Sequence, residues 1–161
     1  MGTFKTFYID TKDRLFAYLI RMTGDYQLSS DVLQESFVRF LSHYGPDERS
    51  VALLYKIARN ALTDCRRRSQ REITEVHEVV DERNVENDYA IKESYQKVLD
   101  AMMRLDETER EILSLSVTTD FSYRDIAGIT GISETNVRVR IHRARLKLKT
   151  MLHMGKGETL P

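Results

Sequence analysis

The sequence is poor in the residues that cross-link or interrupt a polypeptide. Cys65 is the only cysteine, which excludes an internal disulfide and a cysteine-based zinc site. A single free thiol fits a reducing compartment, so we expect a cytoplasmic location. The only two prolines are Pro46 and Pro161. Nearly all of the chain is therefore free to form helices.

Long apolar runs and metal-binding patterns are also missing. No apolar run approaches the roughly 20 residues that a membrane-spanning helix needs, and the N-terminal residues M-G-T-F-K-T-F-Y lack the apolar region of a signal peptide. We therefore expect no membrane partner. The four histidines do not pair with each other or with carboxylates at ligand spacing. The sequence thus predicts no metal site, no cofactor and no enzymatic activity.

Charge is balanced in total but strongly segregated along the chain. The 25 basic and 25 acidic residues give a formal net charge of zero. Six basic residues and one acid lie between positions 56 and 71, and six basic residues and no acid lie between positions 138 and 149. The segment between these two, residues 73–88, is acidic. Two basic segments around an acidic one predict two polyanion-binding sites, each gaining affinity by releasing counterions from nucleic acid.

Apolar residues recur at helical spacing, and no strand-like alternation is sustained anywhere. This predicts an all-α fold with two small helical domains joined by an acidic linker. In the first domain we expect helices at about residues 12–22, 29–42 and 51–68, the second capped by Ser29 or Ser30. In the second domain helical order resumes near Ile91, and a further helix starts near Asp106. The predicted boundaries are residues 1–72 and 89–154 for the domains, 73–88 for the linker and 155–161 for a disordered tail.

The predicted buried faces follow the same helical spacing. In the first domain they comprise Leu15, Phe16, Leu19, Met22, Leu33, Phe37, Phe40, Leu41, Leu54, Ile57, Ala58, Ala61 and Leu62. In the second domain the helical pattern is carried by Ile91, Tyr95, Val98, Leu99 and Met102, and the apolar content of the next helix is supplied by Ile112, Leu113 and Leu115.

The most informative segment runs from Ser122 to Lys149. Two short amphipathic patterns are separated by a turn at Gly131, and Ser122 and Ser133 each precede a pattern as a helix cap would. In the second pattern Val137, Ile141, Ala144 and Leu148 share one face, beside a basic stripe. This arrangement predicts a DNA-binding helix-turn-helix. The alternative is a solvated face on an ordinary helical domain, but such a face normally mixes charges of both signs.

Four segments in order resemble the extracytoplasmic-function (ECF) sigma factors, the smallest members of the bacterial RNA polymerase sigma-70 family. L-F-A-Y-L-I-R-M-T-G-D, D-V-L-Q-E-S-F-V-R and L-L-Y-K-I-A-R-N-A-L-T-D-C-R-R-R resemble parts of the second conserved region. L-D-E-T-E-R-E-I-L and the helix-turn-helix resemble the fourth region. The resemblance implies an alternative sigma factor that binds core polymerase and directs initiation at promoters through their −10 and −35 elements. It also implies an anti-sigma factor as a partner.

The resemblance assigns roles to particular residues. The polymerase contacts would be the β′ clamp coiled coil and the β flap, with Asp31, Gln34, Glu35 and Arg39 on the clamp. At the −10 element Asn60 and Asp64 would take part in strand opening, and Arg59, Arg66 and Arg67 would hold phosphates. The loop at residues 43–50 would accept a flipped base, with His43 and Tyr44 as candidates for stacking. The −35 element would be contacted by Asn136, Arg138, Val139, His142 and Arg143.

Three other functions compete with this interpretation. A stand-alone helix-turn-helix regulator would bind its site without polymerase, usually as a dimer, and the sequence contains no evident dimerisation arm. A metal-dependent phosphohydrolase would require the ligand spacing that the histidines lack. A helical adaptor would not need two separate basic helices, and an anti-sigma protein would more often be acidic on its binding face.

Overall fold

The computed structural model describes residues 3–71, 89–118 and 120–154, and these residues form seven α-helices and no strand. The chain divides into two compact units, Met1–Val80 and Asp81–Pro161. We refer to them as unit 1 and unit 2. The predicted all-α fold with a helix-turn-helix at its C-terminal end is confirmed. The predicted linker at 73–88 and the predicted tail at 155–161 lie outside the described residues.

Unit 1 consists of α1 (Phe4–Thr23), α2 (Tyr26–Tyr44) and α3 (Val51–Arg71). α1 begins well before the predicted start, because Thr3 accepts a hydrogen bond from the backbone N–H of Thr6 and caps it. α1 ends at Gly24, whose φ of 63° places it in the left-handed region.

The predicted cap of α2 is wrong. Asp25 caps the helix by accepting a hydrogen bond from the backbone N–H of Leu28. Ser29 is buried inside α2 instead, with its hydroxyl 2.7 Å from that of Thr23, and Ser30 also lies within the helix. Asp25 takes the role because it directly follows the glycine that ends α1.

The core of unit 1 is formed where α2 packs against both of its neighbours. The predicted burial of Leu15, Leu19, Met22, Phe37 and Phe40 is confirmed, as is that of all five predicted residues of α3. Tyr18 and Tyr55, which the pattern did not predict, are fully buried with their rings 5.3 Å apart. Phe16 and Leu33 are only partly buried. Leu41 is 39% exposed because the buried stripe of α2 runs through Val32 and Ser36 instead.

Unit 2 consists of α4 (Tyr89–Arg104), α5 (Glu107–Thr118), α6 (Tyr123–Thr130) and α7 (Glu134–Met154). α5 is the central helix, packing against α6 and α7, and every residue from 109 to 115 is buried. α4 packs on α7, and Met102 of α4 clusters with Ala144 of α7 and with Leu105, the residue that follows α4. Tyr95 belongs to the predicted helical pattern but is 48% exposed, since Leu99 and Met102 define the buried side of α4. The side chain of Ile91 lies outside the described residues.

The connection between α6 and α7 has the geometry of the predicted turn. The hydroxyl of Ser122 accepts the backbone N–H of Asp125, whose carboxylate accepts the backbone N–H of Ser122 in return. Gly131 ends α6 with a φ of 78°, and its N–H donates to the carbonyl of Ala127. The hydroxyl of Ser133 accepts the backbone N–H of Asn136 at 3.2 Å and begins α7. The predicted caps and turn are therefore confirmed.

Candidate nucleic-acid and protein interfaces

The outward face of α7 carries the side chains predicted to contact the −35 element. Val137, Ile141 and Ala144 are at most 1% exposed and pack inward. This rotation of the helix leaves the opposite side in solvent. The structure brings the five predicted −35 residues together on this exposed side: Asn136, Arg138, Val139, His142 and Arg143. A helix with an apolar base and an exposed polar and basic face has the form that enters the DNA major groove.

One of these side chains is held by a residue that the sequence did not single out. The guanidinium carbon of Arg138 lies 5.6 Å from the ring centroid of Tyr123. Tyr123 is the first residue of α6 and is partly buried. A guanidinium over an aromatic face is attracted by the ring quadrupole. The contact restricts Arg138, which is otherwise exposed. Periodicity within either helix does not reveal it, because it joins two helices.

Further along α7, an ion pair connects this helix to the central helix. The ammonium of Lys147 lies 2.6 Å from Oε1 of Glu109, whose side chain is 8% exposed. Asp106 caps α5 by accepting the backbone N–H of Glu109 at 2.8 Å. Its contact with Glu109, whose backbone N–H it accepts, lowers the pKa of Asp106, with smaller contributions from the charges of Lys147 and Arg140. Lys147 therefore faces the protein interior as well as solvent.

The outer face of α2 presents the acidic side chains predicted to bind polymerase. Asp31 and Gln34 are exposed, and Glu35 is partly exposed. Phe37 is buried behind them at 5% exposure and packs edge-on against the ring of Tyr8 at 4.7 Å. Carboxylates on one rigid helix face suit a partner with fixed cations, because neither side loses much side-chain freedom on binding.

Arg39, the fourth predicted polymerase contact, is engaged within unit 1. Its Nε donates to Oε1 of Glu35 and its Nη1 donates to Oδ2 of Asp64, both at 2.9 Å. These bonds, that to Asp64 first and that to Glu35 second, raise the pKa of Arg39. Asp64 is one of the residues predicted to act at the −10 element. The structure thus joins a residue of the predicted polymerase surface to a residue of the predicted promoter surface.

The remaining predicted −10 residues of α3 differ in exposure and in their contacts within unit 1. Asn60 and Arg67 are exposed, and Arg59 is partly buried. Arg66 donates from Nη2 to the carbonyl of Met22 at 3.0 Å. This carbonyl belongs to the last turn of α1, where helix carbonyls lack partners of their own. Arg66 therefore connects α3 to α1, in addition to any contact with DNA.

The loop at residues 43–50 is ordered by its own hydrogen bonds. Glu48 accepts the backbone N–H groups of Arg49 and Ser50, each at 3.0 Å. Arg49 donates to the carbonyls of Pro46 and Glu48, and its guanidinium lies 5.9 Å from the ring centroid of Phe7. His43 and Tyr44, at the start of the loop, are exposed. The sequence did not single out Glu48 and Arg49, which shape the loop.

Among residues 3–71, 89–118 and 120–154, no group of three or more His, Cys, Asp and Glu side chains is arranged to hold a metal ion. Across the same ranges, no helix combines the length and the apolar content needed to cross a membrane.

Comparisons with known proteins place these surfaces in a family. Residues 7–72 match the family model "Sigma-70 region 2" and residues 95–148 match "Sigma-70, region 4". The ECF RNA polymerase sigma factor SigM of Bacillus subtilis (strain 168) is 30% identical over 149 residues, which cover 89% of this chain and 91% of SigM. SigL of Mycobacterium tuberculosis (strain H37Rv), also an ECF sigma factor, is 30% identical over 151 residues, covering 86% and 82%.

Two solved structures have the same fold as this chain. The sigma factor RpoE, in complex with the anti-sigma factor NepR from Bartonella quintana, superposes with a TM-score of 0.73 at 22% identity, covering 92% of this chain and 96% of RpoE. CnrH, in complex with the cytosolic domain of CnrY, gives a TM-score of 0.68 at 23% identity, covering 94% and 88%. Both conserved sigma-70 regions occur here in order, and SigM is similar over most of both lengths. The chain belongs to the ECF family of RNA polymerase sigma factors.

Proposed function

We propose that this chain is an alternative sigma factor that docks on core RNA polymerase through α2, engages the −10 element with α3 and reads the −35 element with α7. The observation that carries the proposal is the exposed face of α7. All five side chains assigned to the −35 element lie there, opposite an apolar face that is almost completely buried. In this proposal the chain is an initiation factor and not an enzyme, and it works in the cytoplasm.

The chemistry of the α7 face suits direct contact with base edges. An arginine can donate two hydrogen bonds to O6 and N7 of guanine, and an asparagine can pair in the same way with adenine. Arg138, Arg143 and Asn136 supply these groups, and Val139 supplies an apolar surface for a thymine methyl group. The cation–π contact with Tyr123 supports the assignment of Arg138, since it restricts the guanidinium before DNA arrives.

The acidic face of α2 suits a cationic protein surface. Asp31, Gln34 and Glu35 would bind the β′ clamp coiled coil, where exposed arginines would pair with the two carboxylates. The β flap is the proposed second polymerase contact, made by unit 2. The solved complexes of RpoE with NepR and of CnrH with the cytosolic domain of CnrY support a further proposal, that an anti-sigma factor binds this chain.

The basic helix α3 is the proposed −10 surface. Asn60 and Asp64 would act in strand opening, while Arg59, Arg66 and Arg67 would hold phosphates. The exposed rings of His43 and Tyr44 would stack on a base captured at the loop. The exposure of Asn60 and Arg67 supports this assignment.

The proposed domain limits are residues 1–72 for the polymerase and −10 functions and 89–154 for the −35 function. The 16 residues between them span at most about 55 Å when fully extended. Two turns of B-DNA measure roughly 70 Å. The length of the linker together with the widths of the two small domains is therefore enough for the chain to engage both elements at once. We propose that the acidic linker avoids the duplex.

In-vitro run-off transcription with core polymerase and a promoter library, followed by sequencing of transcript starts, tests the proposal. We expect new start sites that share two sequence elements. Arg143→Ala should weaken initiation at the preferred −35 sequence by about 1–3 kcal/mol and relax the base preference at one position. Arg145→Ala, at an exposed neighbouring position of α7, is the matched control and should weaken all sequences alike.

Two outcomes would contradict the proposal. If core polymerase gains no start-site selectivity when this chain is added, the chain is not a sigma factor. Tight binding of the chain to its promoter as a dimer and without polymerase would favour the stand-alone helix-turn-helix regulator instead.

A further inference from the structure

Arg39 lies between two carboxylates that belong to different helices and to different proposed surfaces. Its side chain is 25% exposed, less than those of Glu35 (38%) and Asp64 (46%). The guanidinium is a rigid planar fork, so two bonds in different directions fix its orientation. Because it comes from α2, it draws the Asp64 carboxylate away from the other side chains of α3.

The side chains around Asp64 show why this matters. Arg67 and Arg68 follow Asp64 by three and four residues on α3, the spacings at which helical side chains form ion pairs. Both arginines are exposed. In the structure neither is paired with Asp64, whose carboxylate faces Arg39. Arg68 instead has one Nη 3.8 Å from Sγ of Cys65, a weak contact. Because Asp64 is paired with Arg39 of α2, the side chains of Arg67 and Arg68 on α3 remain available to phosphates.

We propose that Arg39 is a positioning residue rather than a contact to polymerase or DNA: by holding Asp64 it keeps Arg67 and Arg68 open to nucleic-acid phosphates. The inference rests on the proposed role of α3 as a DNA-binding helix. Without Arg39, the Asp64 carboxylate turns to Arg67 or Arg68 on its own helix. Each such pair removes a cation from the surface that meets the phosphate backbone.

Glu35 extends the same arrangement to the proposed docking face. The three side chains carry one positive and two negative charges, so Arg39 is shared between two acids. A cationic partner that binds Glu35 releases the Nε of Arg39, which then pairs with Asp64 alone. The bond between Arg39 and Asp64 therefore persists when a cationic partner engages Glu35.

The experiment measures the salt dependence of DNA binding by the full-length chain. The probe is a fluorescently labelled single-stranded oligodeoxynucleotide of mixed sequence, followed by anisotropy at several salt concentrations. Arg39→Gln should weaken binding roughly three- to tenfold at low salt, as expected for residues coupled in one network. The slope of log affinity against log salt should also fall by about 0.7, because the Asp64 carboxylate removes one phosphate contact and each contact to a single strand contributes about 0.7.

The double variant distinguishes a positioning role of Arg39 from a direct contact of Arg39 with DNA. Asp64→Asn removes the carboxylate that captures the arginines, so adding Arg39→Gln to a chain that already carries Asp64→Asn should change neither the affinity nor the slope. If Arg39 touches DNA itself, the double variant will bind more weakly than Asp64→Asn alone, by the same factor as Arg39→Gln weakens the unsubstituted chain, and the proposal is overturned. An Arg39→Gln chain with unchanged affinity and slope would also overturn it.

Matched variants separate positioning from a loss of fold. Glu35→Gln removes a charge from the same network but leaves the bond between Arg39 and Asp64, so the slope should remain that of the unsubstituted chain. Thermal melting of each variant shows whether unit 1 is still folded. If the Arg39→Gln chain does not fold, Arg39→Lys takes its place. Arg39→Lys keeps the charge but loses the fork, so it should show a smaller loss of affinity, and it should show none in a chain that already carries Asp64→Asn. This readout needs neither polymerase nor a promoter, so its failure is distinguishable from the absence of start-site selectivity.

Discussion

The basic helices α3 and α7 use their charges in different ways. α3 contains an acid, Asp64, within its basic run, and that acid is held by Arg39 of a neighbouring helix. α7 contains no acid after Glu134, and the acid that contacts it is Glu109 of the central helix. In unit 1 the ion pair therefore lies within the proposed DNA surface. In unit 2 it lies beyond Arg143, the last of the proposed base contacts, toward the C-terminal end of α7.

This difference bears on how each unit prepares for DNA. In unit 2, Arg143 makes no ion pair with another described residue, and its exposed position needs no rearrangement. In unit 1, the number of α3 arginines available to phosphates depends on whether Asp64 pairs with Arg39 or with an arginine of its own helix. We infer that α7 presents a preformed surface, whereas the surface of α3 is set by a side chain of α2, the helix proposed to dock on polymerase. Preorganisation of this kind lowers the cost of ordering side chains on binding.

The largest effect that we predict from this comparison concerns the ion pair of unit 2. Lys147→Met should destabilise unit 2 by about 2 kcal/mol, because the buried carboxylate of Glu109 loses its cation. Native-state hydrogen exchange of the α5 amides in the full-length chain measures this change within one unit. Lys149→Met, an exposed position two residues further along α7, is the control and should change the exchange little. Equal effects of the two substitutions would show that the ion pair is not structural.

A smaller effect concerns the two glycines of α6 and of the turn that precedes α7. Gly131 has a φ of 78°, which disfavours any side chain, whereas Gly128 lies exposed inside α6 with nothing within 4 Å of an added Cβ. Gly131→Ala should cost about 1 kcal/mol, and Gly128→Ala should stabilise α6 by about 0.5–1 kcal/mol. Hydrogen exchange of the α6 amides measures both. Changes of the same sign would contradict the assigned backbone geometries.

The smallest effect concerns the residue that holds Arg138. Tyr123→Leu removes the ring beneath the guanidinium and should weaken binding of the holoenzyme to its preferred promoter by about 0.5–1 kcal/mol. Tyr123→Phe keeps the ring and should bind as the unsubstituted chain does. An equal loss in both variants would assign the effect to the tyrosine hydroxyl. The measurement is promoter affinity at one fixed salt concentration, since phosphate contacts make affinity depend on salt.

Predictions from the sequence succeeded where the interactions are local. The caps at Ser122 and Ser133 and the turn at Gly131 depend on residues three or four positions apart, and all were predicted. The buried face of α7 follows from the same spacing. The errors arose where a second helix decides between candidates: Leu41 and Tyr95 have suitable spacing but point away from the helices that would cover them. The cap of α2 was misplaced because Asp25 follows the glycine that ends α1 without any intervening turn.

The sequence by itself determined the helices, the segregation of basic and acidic segments and the family, since each depends on residue order alone. Only the tertiary structure decided the partners of the charged and aromatic side chains. The contacts of Arg39 with Asp64, of Lys147 with Glu109 and of Arg138 with Tyr123 each join two helices. Whether such side chains meet depends on how each helix is rotated and how the two pack. That is fixed by the shape of the whole core, which periodicity along a single helix does not specify.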